Sequence, residues 1–286
     1  MTGPVLPTLP ALPRLSIIIV TFNSRGQIDA CLESLVTQPP AVEHEIVMVD
    51  NASPDGTAGA VRARWTGVRV IDAGGNVGFA SANNLGIRQS SGELVLLLNP
   101  DTVVPRGAID RLVAAIDDRP DAAAAGPRLV GADGRAELSF GAMVAPLAEL
   151  RQKLLTGGHA RGLLVVSQYV EYLTRAPRDV DWVSGACLLV RRADAEAVGL
   201  LDERYFMYLE DVDFCAALRS RGRAILFVPD AEVVHLRGAS RRSATGASER
   251  AYRRGQIAFY DKHHPRWAAA LRAYLRLRGR YNSPTE

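Results

Sequence analysis

Residues 15–23, LSIIIVTFN, form an apolar, largely β-branched run that ends in polar residues. Such a run is typical of a central strand in a parallel sheet, because both faces of that strand are buried. Three similar runs follow at residues 44–53 (HEIVMVDNAS), 68–73 (VRVIDA) and 93–102 (ELVLLLNPDT). Helical patterns separate the runs. The alternation predicts an α/β fold, doubly wound around a mostly parallel central sheet with flanking helices.

The composition is that of a globular protein, with 286 residues, 48% hydrophobic and 23% charged. The net charge of +3 conceals an asymmetry: residues 235–286 hold 12 Lys+Arg and 3 Asp+Glu, or +9, which leaves −6 for the rest. The sequence contains no run of about 18 consecutive apolar residues, which is the length needed to span a bilayer. The three cysteines lack the spacing of a metal or redox site, so we interpret them as reduced, buried thiols in the cytoplasm.

The predicted strands all end in polar residues. In an open α/β sheet, ligands bind beyond the carboxyl ends of the strands, where loops and helix N-termini leave unpaired donors. Each polar residue could alternatively serve only a turn or a helix cap. The set comprises Thr21, Asn23, Asp50, Asn51, Asn76, Gly78, Asn99 and Asp101. Such groups suit a nucleobase edge, a ribose and a divalent cation.

Asp101 follows a buried strand, where a lone carboxylate is costly unless a cation compensates it. Carboxylate oxygens suit Mg²⁺ or Mn²⁺, which would neutralise a diphosphate. His235 could complete the ligand set if the fold brings it near Asp101; otherwise it is a structural histidine. Two other nucleotide sites are not supported. Residues 21–27, TFNSRGQ, lack the G-x-G-x-x-G pattern of dinucleotide-binding proteins, and the P-loop pattern is absent from the chain.

Residues 205–214, YFMYLEDVDF, place Glu210, Asp211 and Asp213 beside four aromatic rings. A solvated acidic turn is one interpretation.

Residues 140–180 have no clean period, and residues 224–236, AILFVPDAEVVHL, predict a pair of strands. Residues 1–13 are rich in proline and predict a flexible lead.

Several segments, in this order, resemble the family 2 glycosyltransferases of the GT-A (Rossmann-like nucleotide-diphospho-sugar transferase) fold, in particular their bacterial rhamnosyltransferase-like branch. These segments are SIIIVTFNS, VDNASPDGT, GNVGFASANNLGI, LNPDT, WVSGACLLVRR, DERYFMYLEDVDFCAALRSRG and VPDAEVVHLRG. The resemblance covers residues 14–240. It implies a nucleotide-binding half at 14–105 and an acceptor and catalytic half at 106–240, followed by a basic segment at 241–286.

On the donor side, the resemblance assigns Thr21, Asn23 and Asp50 to the nucleobase, with Asn76 beside them and Asn51 and Gly78 in the matching segments. The family's D-x-D pattern is NPD here, so Asn99 would bind a hydroxyl and Asp101 the metal, with His235.

On the acceptor side, the resemblance makes Asp211 the catalytic base, its pKa raised by burial. Glu210 would orient the acceptor or a main-chain amide, and Asp213 would cap the following helix. Trp182 and Ser184 would form the acceptor-side wall, where Gly185 allows close backbone approach. Trp182 could instead belong to the core.

The C-terminal segment mixes arginines with Tyr, Trp and Leu at helical spacing. This pattern predicts a helical amphipathic segment that either contacts an anionic membrane surface or packs on the body. Nucleic acid is not an expected partner, because no nucleic-acid-binding module accompanies the arginines.

The leading hypothesis is an inverting, metal-dependent glycosyltransferase in the cytoplasm, which could associate with the inner face of the cell membrane. It would transfer a sugar, L-rhamnose from dTDP-rhamnose or another sugar from a dTDP- or UDP-sugar, to a cell-surface glycan or lipid-linked saccharide. A sugar nucleotidyltransferase would need a glycine-rich, arginine-containing first loop, and residues 21–27, TFNSRGQ, do not resemble one. A non-catalytic sugar-nucleotide or glycan-binding module is favoured by the imperfect NPD. The leading hypothesis requires the fold to place the acidic segment beside the end of the fourth strand.

Overall fold

The computed structural model describes residues 12–236 and 245–278. The strands in this part of the chain are β1 (Leu15–Thr21), β2 (His44–Asp50), β3 (Val68–Asp72), β4 (Leu94–Leu98), β5 (Thr102–Val103), β6 (Ala122–Val130), β7 (Phe140–Gly141), β8 (Arg178–Val180), β9 (Trp182–Val183), β10 (Cys187–Arg191) and β11 (Ala224–His235). The helices are α1 (Ile28–Thr37), α2 (Thr57–Arg64), α3 (Phe79–Arg88), α4 (Ala108–Asp117), α5 (Pro146–Ala160), α6 (Leu164–Leu173), α7 (Arg192–Ala197), α8 (Glu210–Ser220), α9 (Thr245–His263) and α10 (Pro265–Leu277).

The main sheet has the strand order β3-β2-β1-β4-β10-β6-β11-β5, with β8 added beside β11. The four strands predicted from the apolar runs are parallel neighbours, which confirms the predicted α/β fold with helices between the strands. The next strand, β10, is antiparallel to β4 and joins the two halves of the sheet. All seven residues of β1 are buried, as its continuous apolar run predicted.

The apolar core lies on both faces of the sheet. Ile17 and Ile19 of β1 belong to one cluster, and Ile18 and Val20 belong to the other, because successive side chains of a strand point to opposite faces. The three cysteines are buried free thiols, as predicted. Burial raises the pKa of Cys31 and of Cys215 to about 12, which keeps both thiols protonated.

Two segments differ from their sequence predictions. Residues 140–180, which show no clean period, contain the antiparallel helices α5 and α6, followed by β8. Residues 224–236 form one long strand instead of two. Its pairing with β6 shifts register between Val228 and Glu232, so Pro229 and its neighbours bulge outwards while the strand continues. A proline at a bulge resembles a turn in the sequence.

The described part of the C-terminal segment, α9 and α10, packs on the body, one of the two alternatives left open. Phe259, Tyr260 and Ala268 are buried in a third cluster with Tyr205 and Leu209. No helix among the described residues is both long and apolar enough to cross a membrane. Of the predicted lead, residues 1–11 lie outside the described residues, as do residues 237–244 and 279–286.

Candidate active site

The first two strand ends are joined by a buried hydrogen-bond network around Asp50. The Thr21 hydroxyl donates to Asp50 Oδ1 at 2.8 Å, and Ser53 donates its hydroxyl to the same oxygen at 2.6 Å and its amide to Oδ2 at 2.9 Å. Thr21 has no exposed surface, and its hydroxyl holds Asp50 in place. Its contact with a nucleobase stays a prediction. Asn23 is exposed on the neighbouring turn, where its amide donates to Ser53 Oγ at 3.0 Å.

The glycine-rich loop before α3 is tied to the second strand end and to the acidic segment. Asn51 donates to the Gly78 carbonyl at 3.3 Å, and the exposed Asn76 accepts from the Gly78 amide at 3.3 Å. Gly78 has φ +89°, and a Cβ there would lie 2.6 Å from the Phe206 carbonyl oxygen. That oxygen accepts from the Phe79 amide at 2.7 Å. Asn51 and Gly78 are both buried and hold the loop against residue 206, and their contact with the donor stays a prediction.

Asp211 is connected to the end of the fourth strand through the interruption between β9 and β10. The Gly185 amide donates to Asp211 Oδ2 at 2.8 Å. One residue later, the Ala186 carbonyl accepts from the Asn99 amide at 2.9 Å. A Cβ on Gly185 would lie 3.2 Å from the Asp211 Cβ, so this approach needs a small residue. The structure thus brings the acidic segment beside the end of β4, as the leading hypothesis requires.

Glu210 and Asp211 form a carboxyl pair at the start of α8. Burial, followed by the charge of Asp211, raises the pKa of Glu210 well above its usual value, and Glu210 Oε2 is buried without a hydrogen-bond partner. Burial also raises the pKa of Asp211, as predicted, against the opposing effect of hydrogen bonds from the Gly185 and Val212 amides. The backbone donors therefore favour the ionised form of Asp211. Burial and the charge of Asp211 favour the protonated form of Glu210.

Asp213 is 2% exposed and is clamped by the C-terminal helices. Lys262 donates to Oδ2 at 2.7 Å, His263 Nε2 lies 2.6 Å from Oδ1, and the Tyr205 hydroxyl donates to Oδ1 at 3.2 Å. The predicted capping role is wrong, because the helix begins at Glu210 and the carboxylate of Asp213 is turned towards α9. We call this arrangement, Asp213 with Lys262 and His263, the C-terminal clamp.

The turn that the clamp holds is strained. Tyr208 and Leu209 have φ values of +73° and +71°, which are uncommon for residues with side chains. Tyr208 contacts α9 closely: a Cβ on Gly255 would lie 2.6 Å from its carbonyl oxygen, and its ring packs edge-on against Tyr252. Strained backbone persists only where the surroundings enforce it. Helix α9 supplies those surroundings here.

Asp101 and His235 are adjacent because β5 pairs antiparallel with the end of β11. His235 Nε2 lies 3.3 Å from Asp101 Oδ1, and Nδ1 lies 3.2 Å from Glu137 Oε2. Burial alone would lower the pKa of His235, but hydrogen bonds to the two carboxylates raise it to about 9. Glu137 was not identified from the sequence, since nothing in the ADG hairpin region marks it.

The Asp101–His235 pair fits a divalent cation that a diphosphate also binds. Two neighbouring ligand atoms on an octahedral Mg²⁺ are about 3 Å apart, close to the Oδ1–Nε2 separation. A metal-binding histidine usually donates its second ring nitrogen to a carboxylate, and Glu137 is placed to accept from Nδ1. Within residues 12–236 and 245–278, no group of three or more His, Cys, Asp or Glu side chains could hold a metal by itself. Two protein ligands therefore leave room for phosphate oxygens.

The remaining predicted residues lie along the same edge. Asn99 and Ser184 are half-buried, and the Ser184 hydroxyl accepts from the Ala186 amide at 3.3 Å. Trp182 packs against two apolar clusters and donates from Nε1 to the Ala142 carbonyl at 2.9 Å, so it contributes to the core while lying two residues from Ser184. The C-terminal clamp was not predicted because Lys262 and His263, in DKHH at 261–264, are remote from Asp213 in the sequence. They also belong to a segment that is basic throughout, so nothing distinguishes them there.

Comparisons with known proteins agree with this architecture. Residues 16–160 match the family model described as glycosyl transferase family 2. The chain is 34% identical over 284 residues to an N-acetylglucosaminyl-diphospho-decaprenol L-rhamnosyltransferase of Mycobacterium tuberculosis, covering 92% of this chain and 89% of the relative. It is 24% identical over 239 residues to the rhamnosyltransferase WbbL of Escherichia coli K12, covering 77% and 82%.

Two solved structures show the same fold. GalNAc-T7 with UDP, GalNAc and Mn²⁺ superposes with a TM-score of 0.60 at 18% identity, covering 87% of this chain and 48% of the other. The mannosyltransferase PcManGT from Pyrobaculum calidifontis, in complex with GDP-Man and Mn²⁺, superposes with a TM-score of 0.60 at 19% identity, covering 93% and 70%. The chain spans about half the length of GalNAc-T7.

Proposed function

The chain belongs to glycosyl transferase family 2 and has the GT-A fold, as its sequence predicted, and we propose that it is an inverting, metal-dependent rhamnosyltransferase. The donor would be dTDP-L-rhamnose and the acceptor a lipid-linked saccharide. The observation that carries the proposal is the attachment of Asp211 to the segment that pairs with Asn99, which sets a partly buried carboxylate beside the donor edge. The rhamnosyl and decaprenol names of the Mycobacterium tuberculosis relative support the sugar and the acceptor class.

The proposed reaction transfers one proton, forms one bond and breaks another. The acceptor hydroxyl oxygen attacks the anomeric carbon from the face opposite the nucleoside diphosphate. The new glycosidic C–O bond forms as the bond from the anomeric carbon to the phosphate oxygen breaks, so the configuration inverts. Asp211 takes the hydroxyl proton, and its raised pKa makes it a stronger base than an exposed aspartate.

Glu210 serves the same step in a different protonation state. Burial and the Asp211 charge both raise the pKa of its carboxyl, which favours the neutral form. The unpartnered Oε2 offers a hydrogen bond to an acceptor hydroxyl, which orients the nucleophile towards Asp211. Tyr205, which lies inside against Asp213, holds the turn that precedes this pair.

On the donor side, the exposed Asn23 and Asn76 would contact the nucleobase, and Asn99 would contact a ribose hydroxyl. Asp50 shapes this edge through Ser53. Asp101 and His235 would hold Mg²⁺ or Mn²⁺, which supplies positive charge to the departing diphosphate when bound. Both solved structures of the fold contain Mn²⁺ with a nucleotide or nucleotide sugar, which supports a divalent cation here.

A lipid-linked acceptor places the enzyme at the cytoplasmic face of the membrane as a peripheral protein. Arg266 and Arg276 of the basic C-terminal segment would contribute to that contact, alongside the helix packing that the segment already makes.

The decisive experiment measures transfer and donor binding by the wild type, Asp211→Asn and Glu210→Gln, with exposed Asp230→Asn as the matched control. General-base catalysis contributes about 10²- to 10⁴-fold, so we expect Asp211→Asn to lose transfer by that factor while still binding donor. A panel of nucleotide sugars with Mg²⁺ and Mn²⁺ identifies the donor. Near-normal transfer by Asp211→Asn would show that another group is the base.

A non-catalytic sugar-nucleotide-binding module is the second candidate, favoured by the asparagine at the first position of NPD. The same panel separates the two, because a binding module gives thermal shifts without product.

A further inference from the structure

The antiparallel helices α5 and α6 expose an unusual amount of apolar surface. Leu147, Leu150 and Leu154 of α5 are spaced i, i+3 and i+7, so they lie on one helical face. Leu164 and Val165 begin α6 directly after the turn. These five side chains are between 55% and 82% exposed. Since apolar residues of this size normally face a core, this face is without its partner in the free protein.

The charges around this face have one sign. Between residues 146 and 175 the exposed charged side chains are those of Arg151, Lys153, Arg161 and Arg175. The acidic residues of the same stretch are both engaged: buried Glu149 binds Lys153 at 2.7 Å, and Glu171 binds Arg128 at 2.7 Å. Exposed leucines among arginines and lysines, without an exposed carboxylate, complement a surface that is apolar inside and anionic outside.

We propose that the α5–α6 hairpin docks on an anionic lipid bilayer. The apolar residues at the turn, Leu164 and Val165, enter the interface, and the neighbouring cations contact lipid phosphates. A second copy of the chain fits less well. In a two-fold dimer the same face meets itself, which would bring Arg151, Arg161 and Arg175 against their own copies, whereas Lys153 is already paired with Glu149. The biological purpose of docking rests on the proposed lipid-linked acceptor, but the binding itself does not.

The hairpin is connected to the candidate acceptor side. Gln256 of α9 donates to Glu149 Oε2 at 2.5 Å, and His264 Nε2 lies 2.7 Å from the Val144 carbonyl oxygen. Gln152 of α5 lies beside Gly141, which also packs against Trp182. A membrane-bound hairpin would therefore hold residue 182 and the acceptor-side segment close to the lipid from which the acceptor is drawn.

The test measures co-sedimentation of the full chain with vesicles of phosphatidylcholine alone or mixed equally with phosphatidylglycerol. The wild type should bind the mixed vesicles and lose affinity in high salt. Leu164→Gln with Val165→Gln should weaken binding at least tenfold, and Arg161→Gln by about fivefold, the value of one interfacial cation. Val36→Gln on α1, which replaces a 49% exposed valine elsewhere, is the control and should bind normally.

Three results would overturn the proposal. The wild type could fail to bind the mixed vesicles, or the double variant could bind as tightly as the wild type. Alternatively, sedimentation velocity without lipid could show a dimer that the double variant abolishes. If Trp267→Gln loses binding while the double variant keeps it, the second of these results is obtained and docking is assigned to the C-terminal helices. Donor hydrolysis should be unchanged in the double variant, so a failure of docking is distinguishable from a failure of the proposed activity.

Discussion

Replacing Gly78 with alanine tests whether the glycine-rich loop positions the turn that precedes Glu210 and Asp211. Gly78 has φ +89° and ψ 174°, a region that is essentially restricted to glycine, and a side chain there costs about 1–3 kcal/mol. The added Cβ would also lie 2.6 Å from the Phe206 carbonyl oxygen and 2.8 Å from its Cδ2. Moving that carbonyl breaks its hydrogen bond from the Phe79 amide, worth about 0.5–1.5 kcal/mol. The expected loss in the free energy of unfolding is therefore about 2–4 kcal/mol.

Gly74→Ala is the matched control. Gly74 belongs to the same loop and has φ +75°, but no heavy atom lies within 4 Å of its hypothetical Cβ. Its substitution should cost only the conformational term of about 1–2 kcal/mol. Urea unfolding compares the stabilities, and transfer is assayed where both variants are folded. We expect Gly78→Ala to lose at least tenfold in transfer and Gly74→Ala to remain near the wild type. Equal losses in both variants would refute the argument that contact with residue 206 sets the turn.

Three further predictions follow from the ion pairs. Asp101→Asn should lower donor affinity at least tenfold in Mn²⁺ but not in EDTA, as calorimetry can show; an equal change in both would remove the cation role. Because the folded pKa of His235 is raised to about 9, its stabilisation is complete below the unfolded value of 6.5 and is lost as the pH rises through about 9. Unfolding free energy of the metal-free protein should fall by roughly 3 kcal/mol over this range, and a profile as flat as that of His235→Gln would contradict this. Lys262→Met should cost roughly 1–3 kcal/mol because Asp213 is buried, whereas Arg62→Met, which breaks an exposed pair of equal length, should cost less than about 1 kcal/mol by chemical denaturation.

The sequence predicted the parallel half of the sheet well because continuous apolar runs leave few other places for a strand. It also predicted that polar residues gather at one edge, since parallel strands end together. It could not tell which of them turn inward. Thr21 and Asn23 are two positions apart, yet the Thr21 hydroxyl donates to Asp50 whereas the Asn23 side chain is exposed. That difference depends on the neighbouring strand β2, which ends at Asp50.

The segments that the sequence did not resolve are those whose apolar residues do not face the core. Leu147 and Leu154 point outward, so α5 shows no clean division between a core face and a polar face. The long strand β11 was predicted as two because Pro229 looks like a turn when its partner strand is unknown. Glu137 was missed for a related reason: its importance depends on His235, which is 98 positions away in the chain.

The C-terminal clamp has a consequence for how the enzyme is made. Asp213 receives its hydrogen-bond partners from residues 49 and 50 positions later, so the ribosome completes α8 well before it supplies Lys262 and His263. Until then, the turn that carries Glu210 and Asp211 lacks the helix that enforces its strained backbone. Nascent or prematurely terminated chains that end before α9 should consequently bind nucleotide sugar without consuming it, and catalytic competence should arise only near the end of translation.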